Sequence, residues 1–407
     1  MRKKIIVSFG LVLFLSFSLI VMGFLSSANA NTWTPSNRDG FGNNNNEIIH
    51  DLVEYGGLLY AGVEDSGTTG ALVWAYDSES ETWEDATYTG LPTLNTAVTS
   101  LVVYNGNLYA GTHNESEGAQ LFVYDGVGWS TVTISGFSSN NIAITSLAVY
   151  MDQLYIGTRV VGTGSAQLWR HDGSNSAQLI IPDFSANNKA IYSFAVYNDT
   201  FYFGTENNTE GAELWWFNDG DSGQITIDGF SGENTIIMSL ISYDSDLYAG
   251  THNSSGAQLW RYDGSSSVRV DIPSFDSGNV GIYSFATYNG NLYFGTRGGT
   301  VEAQVWEYAS EEGTDITPNW NSQDPYIFVN GIFSLAAYNE GLYAGTWSDP
   351  SQIWFFSQGS EDPEDPEDPE DPNQEEPEPE GSTINQESSN NIPKTTKLPR
   401  TGSNILY

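Results

Sequence analysis

A short element, Leu-Tyr-x-Gly-Thr or a close variant of it, recurs seven times along the chain and limits the fold more than any other feature. Its tyrosines are Tyr60, Tyr109, Tyr155, Tyr202, Tyr248, Tyr293 and Tyr343, spaced 45 to 50 residues apart. The glycine two residues on (Gly62, Gly111, Gly157, Gly204, Gly250, Gly295, Gly345) is present in every copy. Self-similarity at a fixed period marks an architecture of stacked units, none of which buries its apolar surface alone.

Each unit reads as four short strands. Ala143–Tyr150 is apolar and β-prone, and Gln153–Thr158 follows after two residues. At the same turn other units carry Asn105-Gly106 and Asn289-Gly290, the strongest short hairpin signal. A variable loop leads to Ala166–Arg170, and Asp172-Gly173 turns the chain into a fourth strand ending near Phe184. The aspartate-glycine pair recurs at Asp125-Gly126, Asp219-Gly220 and Asp263-Gly264. No stretch beyond residue 30 shows a useful helical period. The expected fold is therefore all-β: a seven-bladed β-propeller over residues 31–358, each blade four antiparallel strands. Trp74, Phe122, Trp169, Trp215, Trp260, Trp306 and Trp354 share one register position, which assigns them to packing between blades. The seventh unit has its third strand at Ile353–Phe356 and no fourth, while the segment from Thr32 matches the fourth-strand segment Ser130–Ile144. Trp33–Phe41 is expected to supply the outer strand of the last blade and close the ring.

Units such as YNGNLYAGTHNESEGAQLFVYDG and SYDSDLYAGTHNSSGAQLWRYDG resemble a propeller repeat of exported bacterial and archaeal proteins, most of them without an assigned function. The Gly-His and Trp-Asp signatures of WD repeats, the di-glycine of kelch repeats and the Asp-box of sialidases are missing. The resemblance implies a fold and no activity.

Both ends of the chain carry signals. Arg2, Lys3 and Lys4 precede an apolar stretch from Ile5 to Leu25 and the small-residue site Ala28-Asn29-Ala30. That order is a secretory signal peptide over 1–30, cleaved after Ala30, in preference to a retained anchor. Residues 359–397 hold an Asp/Glu/Pro repeat whose carboxylates repel and whose prolines favour polyproline II, so an extended, disordered stalk is expected. Residues 398–407 include Leu398-Pro399-Arg400-Thr401-Gly402, which resembles the LPxTG sorting signal of Gram-positive surface proteins. The resemblance implies a sortase that attacks the carbonyl of the Thr401–Gly402 peptide and transfers Thr401 to peptidoglycan. Only Ser403–Tyr407 follow, where the family pattern continues with an apolar span and a basic tail, and we expect the sequence to be truncated there. The mature protein is thus expected outside the cell, anchored to the wall, or secreted if the signal is inactive. It would be a monomer without a stable membrane span.

Composition excludes several classes. The chain has no cysteine, which removes disulfides, thiolate metal sites and cysteine nucleophiles. Four histidines (His50, His113, His171, His252) show no zinc-protease spacing. Residues 31–360 carry a net charge near −31, a field that repels nucleic acid and anionic lipid. No cofactor is expected, although loop carboxylates are weighed as ligands for calcium.

The residue after each Gly-Thr changes while its frame repeats. It is Glu64, His113, Arg159, Glu206, His252, Arg297 and Trp347 in turn. This ring, with the loops after the second strand and the Asn-rich segments between blades, is the candidate site for a glycan or protein ligand. The alternative is a propeller hydrolase or lyase acting on polysaccharide, using the Glu and His members of the ring as acid and base. No nucleophile elbow supports it.

Overall fold

A computed structural model describes residues 31–359 apart from 88–89, 228–229, 231 and 321–326. The expected signal segment 1–30 with Ala30, the acidic stretch from residue 360, and Leu398, Pro399, Thr401 and Gly402 lie outside the described residues. The described chain is all-β, with one three-residue 3-10 turn at Gly40–Gly42.

Its 28 strands form one hydrogen-bonded network. Within the network, consecutive strands pair as antiparallel four-stranded sheets. The first comprises Asn46–Tyr55, Leu58–Asp65, Leu72–Asp77 and Thr82–Asp85. Five more follow the same order, opening at Ala97, Asn141, Ala190, Ile236 and Asn279. The last has Gly331–Tyr338, Gly341–Trp347 and Ile353–Ser357 from the C-terminal part and Thr32–Asn37 from the N-terminal part. Trp33 lies opposite Phe356 with ring centroids 5.0 Å apart, and its indole N–H donates to the Ile316 carbonyl at 2.7 Å.

Local sequence dictates the hairpins. Asn105-Gly106 and Asn289-Gly290 take positive φ at both positions, as a two-residue type I′ turn requires. Other units put Met151-Asp152, Asn198-Asp199 and Asp244-Ser245 through the same left-handed region. The twist of the flanking strands imposes it there despite the side chains. In the outer turns, Asp172 and Asp263 each accept two backbone N–H bonds from the residues that follow. Those N–H groups hold both carboxyls below the usual range.

The innermost two strands of each sheet form a closed ring of 14, each sheet joined to the next by one bridge. The bridging residues are the ring read from the sequence: Glu64 opposite Ala97, His113 opposite Ala143, and so on to Trp347 opposite Ile48. Behind each bridge sits a three-part interlock. An aliphatic side chain with no exposed surface (Ile49, Val98, Ile144, Ile191, Ile237, Ile282 or Ile332) lies over the repeat glycine of the preceding sheet. A Cβ on Gly295 would stand 2.6 Å from Ile332 and 2.6 Å from the Ser284 hydroxyl. That serine donates to the Ile332 carbonyl at 2.9 Å, and Ser100, Ser146, Ser193, Ser239 and Ser334 make the same bond to the following sheet. Ser334 reaches Ile49 at 3.0 Å and so joins the last sheet to the first. At the hairpin end, Tyr338 likewise donates to the Gly57 carbonyl at 2.7 Å.

Six of the seven repeated aromatics are buried between sheets, from Phe122 at 0% exposed to Trp260 at 5%. Trp74 is only partly buried, under the stacked ring of Phe41. Trp306 stacks on Phe294 at 6.2 Å and meets Phe275 edge-on at 5.4 Å.

Gly295→Ala is expected to cost about 1–3 kcal/mol through overpacking. Gly128→Ala, where an added methyl meets nothing within 4 Å, should be nearly neutral. Urea unfolding of both variants checks this, and equal midpoints would remove the steric reason for the repeat glycine.

Candidate functional site

The inner strands surround a cavity of about 610 Å³, built in layers by the strand register. Glu64, His113, Arg159, Glu206 and Arg297 from the bridging ring line it. His252 and Trp347 do not, which corrects the expectation that all seven face one pocket. Each packs instead on a residue that does: His252 against the Tyr283 ring (6.3 Å), Trp347 against Phe333 (5.8 Å).

A second ring was missed in the sequence. The register of every opening strand shifts between its aliphatic residue and the next pairing position, so one residue bulges out of the ladder. The bulged residues are His50, Thr99, Thr145, Tyr192, Met238, Tyr283 and Phe333, and all seven line the cavity. A bulge re-aims a side chain that strict alternation would send elsewhere. Its signal was legible as the one variable letter inside the repeated Ile-x-Ser-Leu frame (IHDL, VTSL, ITSL, IYSF, IMSL, IYSF, IFSL). Next along the strands come the serines of the interlock, with Asp51 at the seventh such position, and then the apolar Leu147, Phe194, Leu240, Phe285 and Leu335.

The charged groups fall into separate arrangements. His50 Nε2 stands 2.7 Å from Glu64 Oε2. Burial raises the Glu64 pKa, but the His50 hydrogen bond and the charges of His50 and His113 outweigh it and leave it below the ordinary value. His113 is pushed down by burial first and then by the neighbouring Arg159 and His50. Arg159 Nε lies 3.6 Å from Glu206 Oε2, and Asn208 donates to the other Glu206 oxygen at 2.8 Å. Burial and the Glu206 charge raise the Tyr192 hydroxyl strongly, so it stays a proton donor. Arg297 has a different environment. Its Nη1 donates to the Tyr283 hydroxyl at 3.1 Å and its guanidinium lies over Trp347, 5.0 Å from the ring centroid. Glu64 and Glu206 come from sheets three apart in the ring, and each carboxylate is held by a basic side chain.

Asp51 breaks the serine series. A carboxylate cannot donate to the next carbonyl, so it accepts instead, from Leu101 N–H of the second sheet at 2.7 Å and from Leu52 N–H at 2.9 Å. Burial pushes its pKa up to about 6 against the opposing pull of those N–H groups and of His50.

The Asn-rich connections are divided: Asn44, Asn45 and Asn140 are exposed, while five other asparagines are not. Asn95, Asn141, Asn188, Asn234 and Asn279 have no exposed surface. Asn141 and Asn234 bond Gln167 and Gln258 at 2.8 and 2.9 Å, and those amides also receive the Trp169 and Trp260 indole N–H. These asparagines satisfy buried polar groups between sheets and are closed to a ligand. Among the described residues no group of three His, Asp or Glu side chains is arranged to hold a metal ion, so the carboxylates weighed for calcium stay unassigned.

No family model matches the sequence, and no curated protein matches it. Among solved structures the chain is similar to the extracellular domain described as that of the hybrid two-component system BT4673 from B. thetaiotaomicron, with TM-score 0.58 and 18% identity over 80% of this chain and 39% of that one. It is also similar to a chain in the crystal structure of a mitotic checkpoint complex, with TM-score 0.53 and 14% identity over 88% of this chain and all of that one. This chain thus spans about two fifths of the length of the first structure. Likeness at such identities concerns the fold: a propeller-like all-β ring.

Because Asp51 binds its proton more tightly folded (about 6) than unfolded (3.8), ionising it costs stability. The cost is absent below the lower value, grows as pH rises between the two, and is complete above the upper one. Asp51→Asn should therefore gain about 2–3 kcal/mol on the parent between pH 4 and pH 7.5. Paired urea titrations check it. A variant-to-parent difference that stays constant with pH would show that Asp51 ionises as freely as in the unfolded chain.

Proposed function

We propose that this chain is a seven-bladed β-propeller, displayed outside the cell, that binds the end of a glycan in its axial pocket. The observation that carries this reading is that twelve side chains of varied chemistry, set on two repeating positions, line one cavity of a size suited to a small ligand. A repeat array needs only its glycine, serine and aliphatic frame to stand. The variation at these two positions, which hold eight residue types, is not needed by that frame. The lining mixes aromatic faces (Tyr192, Tyr283, Phe333) with hydroxyl, imidazole and guanidinium groups, the combination that grips the apolar faces and the hydroxyls of a sugar.

Display rests on the sequence signals. A signal peptide ending at Ala30 supports export, the acidic proline-rich segment supports a stalk, and Leu398-Pro399-Arg400-Thr401-Gly402 supports sortase attachment to peptidoglycan. Fully extended, residues 361–397 would reach roughly 115 Å at about 3.1 Å per residue, long enough to lift the ring clear of a wall surface.

The hydrolase or lyase alternative has less support. Glu64 and Glu206 are both engaged, by His50 and Arg159.

The test is a glycan and host-protein array probed with the secreted chain and with Met238→Trp, which fills the cavity from its wall. Binding by the parent that falls at least tenfold in Met238→Trp, yet survives Val127→Ala at an exposed turn, supports the axial pocket. A protein ligand unaffected by Met238→Trp would move the site to the loops, and a parent silent on every glycan would overturn the reading.

A further inference from the structure

Arg297 is the candidate we carry furthest. Residues 31–360 contain seven basic residues against 38 acidic ones, and two of the seven reach this cavity. Arg159 is matched by Glu206. No carboxylate lies within ion-pair distance of Arg297 among the described residues; Tyr283 and Trp347 surround it instead. Its Nε is buried and has no hydrogen-bond partner. Removing a guanidinium from water with donors unsatisfied is unfavourable, and a protein with 38 acidic residues in 31–360 has left this one without a counter-ion among the described residues.

Which donors remain is decided by the geometry of the group. Nη1, the nitrogen on the Cδ side, is used by the Tyr283 hydroxyl. Nε and Nη2 form the opposite edge, with two parallel N–H bonds at the spacing of a carboxylate. The Trp347 ring, 5.0 Å from Cζ, attracts the guanidinium and limits its movement. The neighbouring His252 adds no positive charge of its own. Burial first, and then the Arg297 charge, pull its pKa down to about 4, and its Nδ1 is buried without a partner. Tyr283 and Phe333, whose rings meet at 4.8 Å and both line the cavity, offer apolar faces beside the fork.

Resting on the glycan-binding reading above, we propose that the pocket takes a carboxylated sugar, a hexuronate or another acidic sugar at a chain end, whose carboxylate pairs with the Arg297 guanidinium. The acidic body repels polyanions at long range, so a single carboxylate carried in on a sugar suits this pocket better than a dense run of charge.

The test is calorimetric titration of the secreted chain with glucuronate, galacturonate and N-acetylneuraminate, beside glucose, glucuronate methyl ester and inorganic sulfate. We expect at least one acidic sugar to bind ten times or more tighter than glucose and the ester. Arg297→Gln should lose that binding a hundredfold, whereas Arg297→Lys keeps the charge without the fork and should lose about tenfold. In the parent, saturation should also raise the His252 imidazole pKa, read by NMR, because the ligand neutralises the charge that depresses it. Thermal melts establish that the variants fold; should Arg297→Gln fail, Arg297→Lys and the ester comparison decide alone. Equal binding of acid and ester, sulfate as tight as the sugar acids, or no acidic sugar bound would each overturn the proposal. An array signal lost in Met238→Trp but kept in Arg297→Gln would do so while leaving the axial pocket intact.

Discussion

Everything in this molecule hangs on one contact repeated around an axis: an aliphatic side chain seated on a glycine of the preceding sheet, beside a serine that hydrogen-bonds across the seam. Four short antiparallel strands cannot bury both faces by themselves. The missing partner is the next sheet, and the glycine lets it approach closely enough that Ile332 touches backbone where another residue would hold it off. The serine supplies direction. Its bond ends on the backbone carbonyl of the aliphatic residue in the next sheet, a buried acceptor. Because Ser334 and Gly345 make the same contacts to Ile49, the last seam resembles the others and the array ends in a ring with no free inner edge.

The same seam provides the means for function. A bulge in each opening strand is needed to bring the serine and the aliphatic residue into place, and its by-product is one extra side chain per sheet directed at the axis. Symmetry of the backbone therefore delivers seven equivalent positions whose occupants are free to differ. The bridging residues add another set. Stability is carried by the parts that repeat, which leaves the parts that do not repeat free for the recognition proposed above. Asp51 is the exception, a non-repeating residue within the frame itself, and it exchanges a donated bond for two accepted ones.

Most of the fold was legible because a repeat multiplies weak local signals. One Asn-Gly pair is a modest hairpin cue, but seven hairpins in step leave few alternatives. The pairing of Thr32–Asn37 with Ile353–Ser357 followed from a missing strand at one end and a surplus one at the other. The bridging ring was legible for a similar reason, as a variable letter after a constant one. The bulged ring was equally variable, yet strict two-residue alternation assigns such positions to a sheet face and does not mark them. The burial of five asparagines was not legible, for the opposite reason. A polar residue in a connecting segment suggests exposure, and only the side chains of neighbouring strands show that Asn141 faces Gln167 rather than water.

By itself the sequence determined the all-β class, the strand order, the closing strand and the sign of the overall charge, since these depend on periodicity, local turn chemistry and composition. Only the tertiary structure decided which polar groups find partners. Glu64 and His50, or Arg159 and Glu206, are strangers in any local reading, and their pairing depends on the curvature that sets each inner strand against the axis. The isolation of Arg297 is of the same kind, because a missing counter-ion is a property of the space around a side chain, which no local stretch of residues encodes.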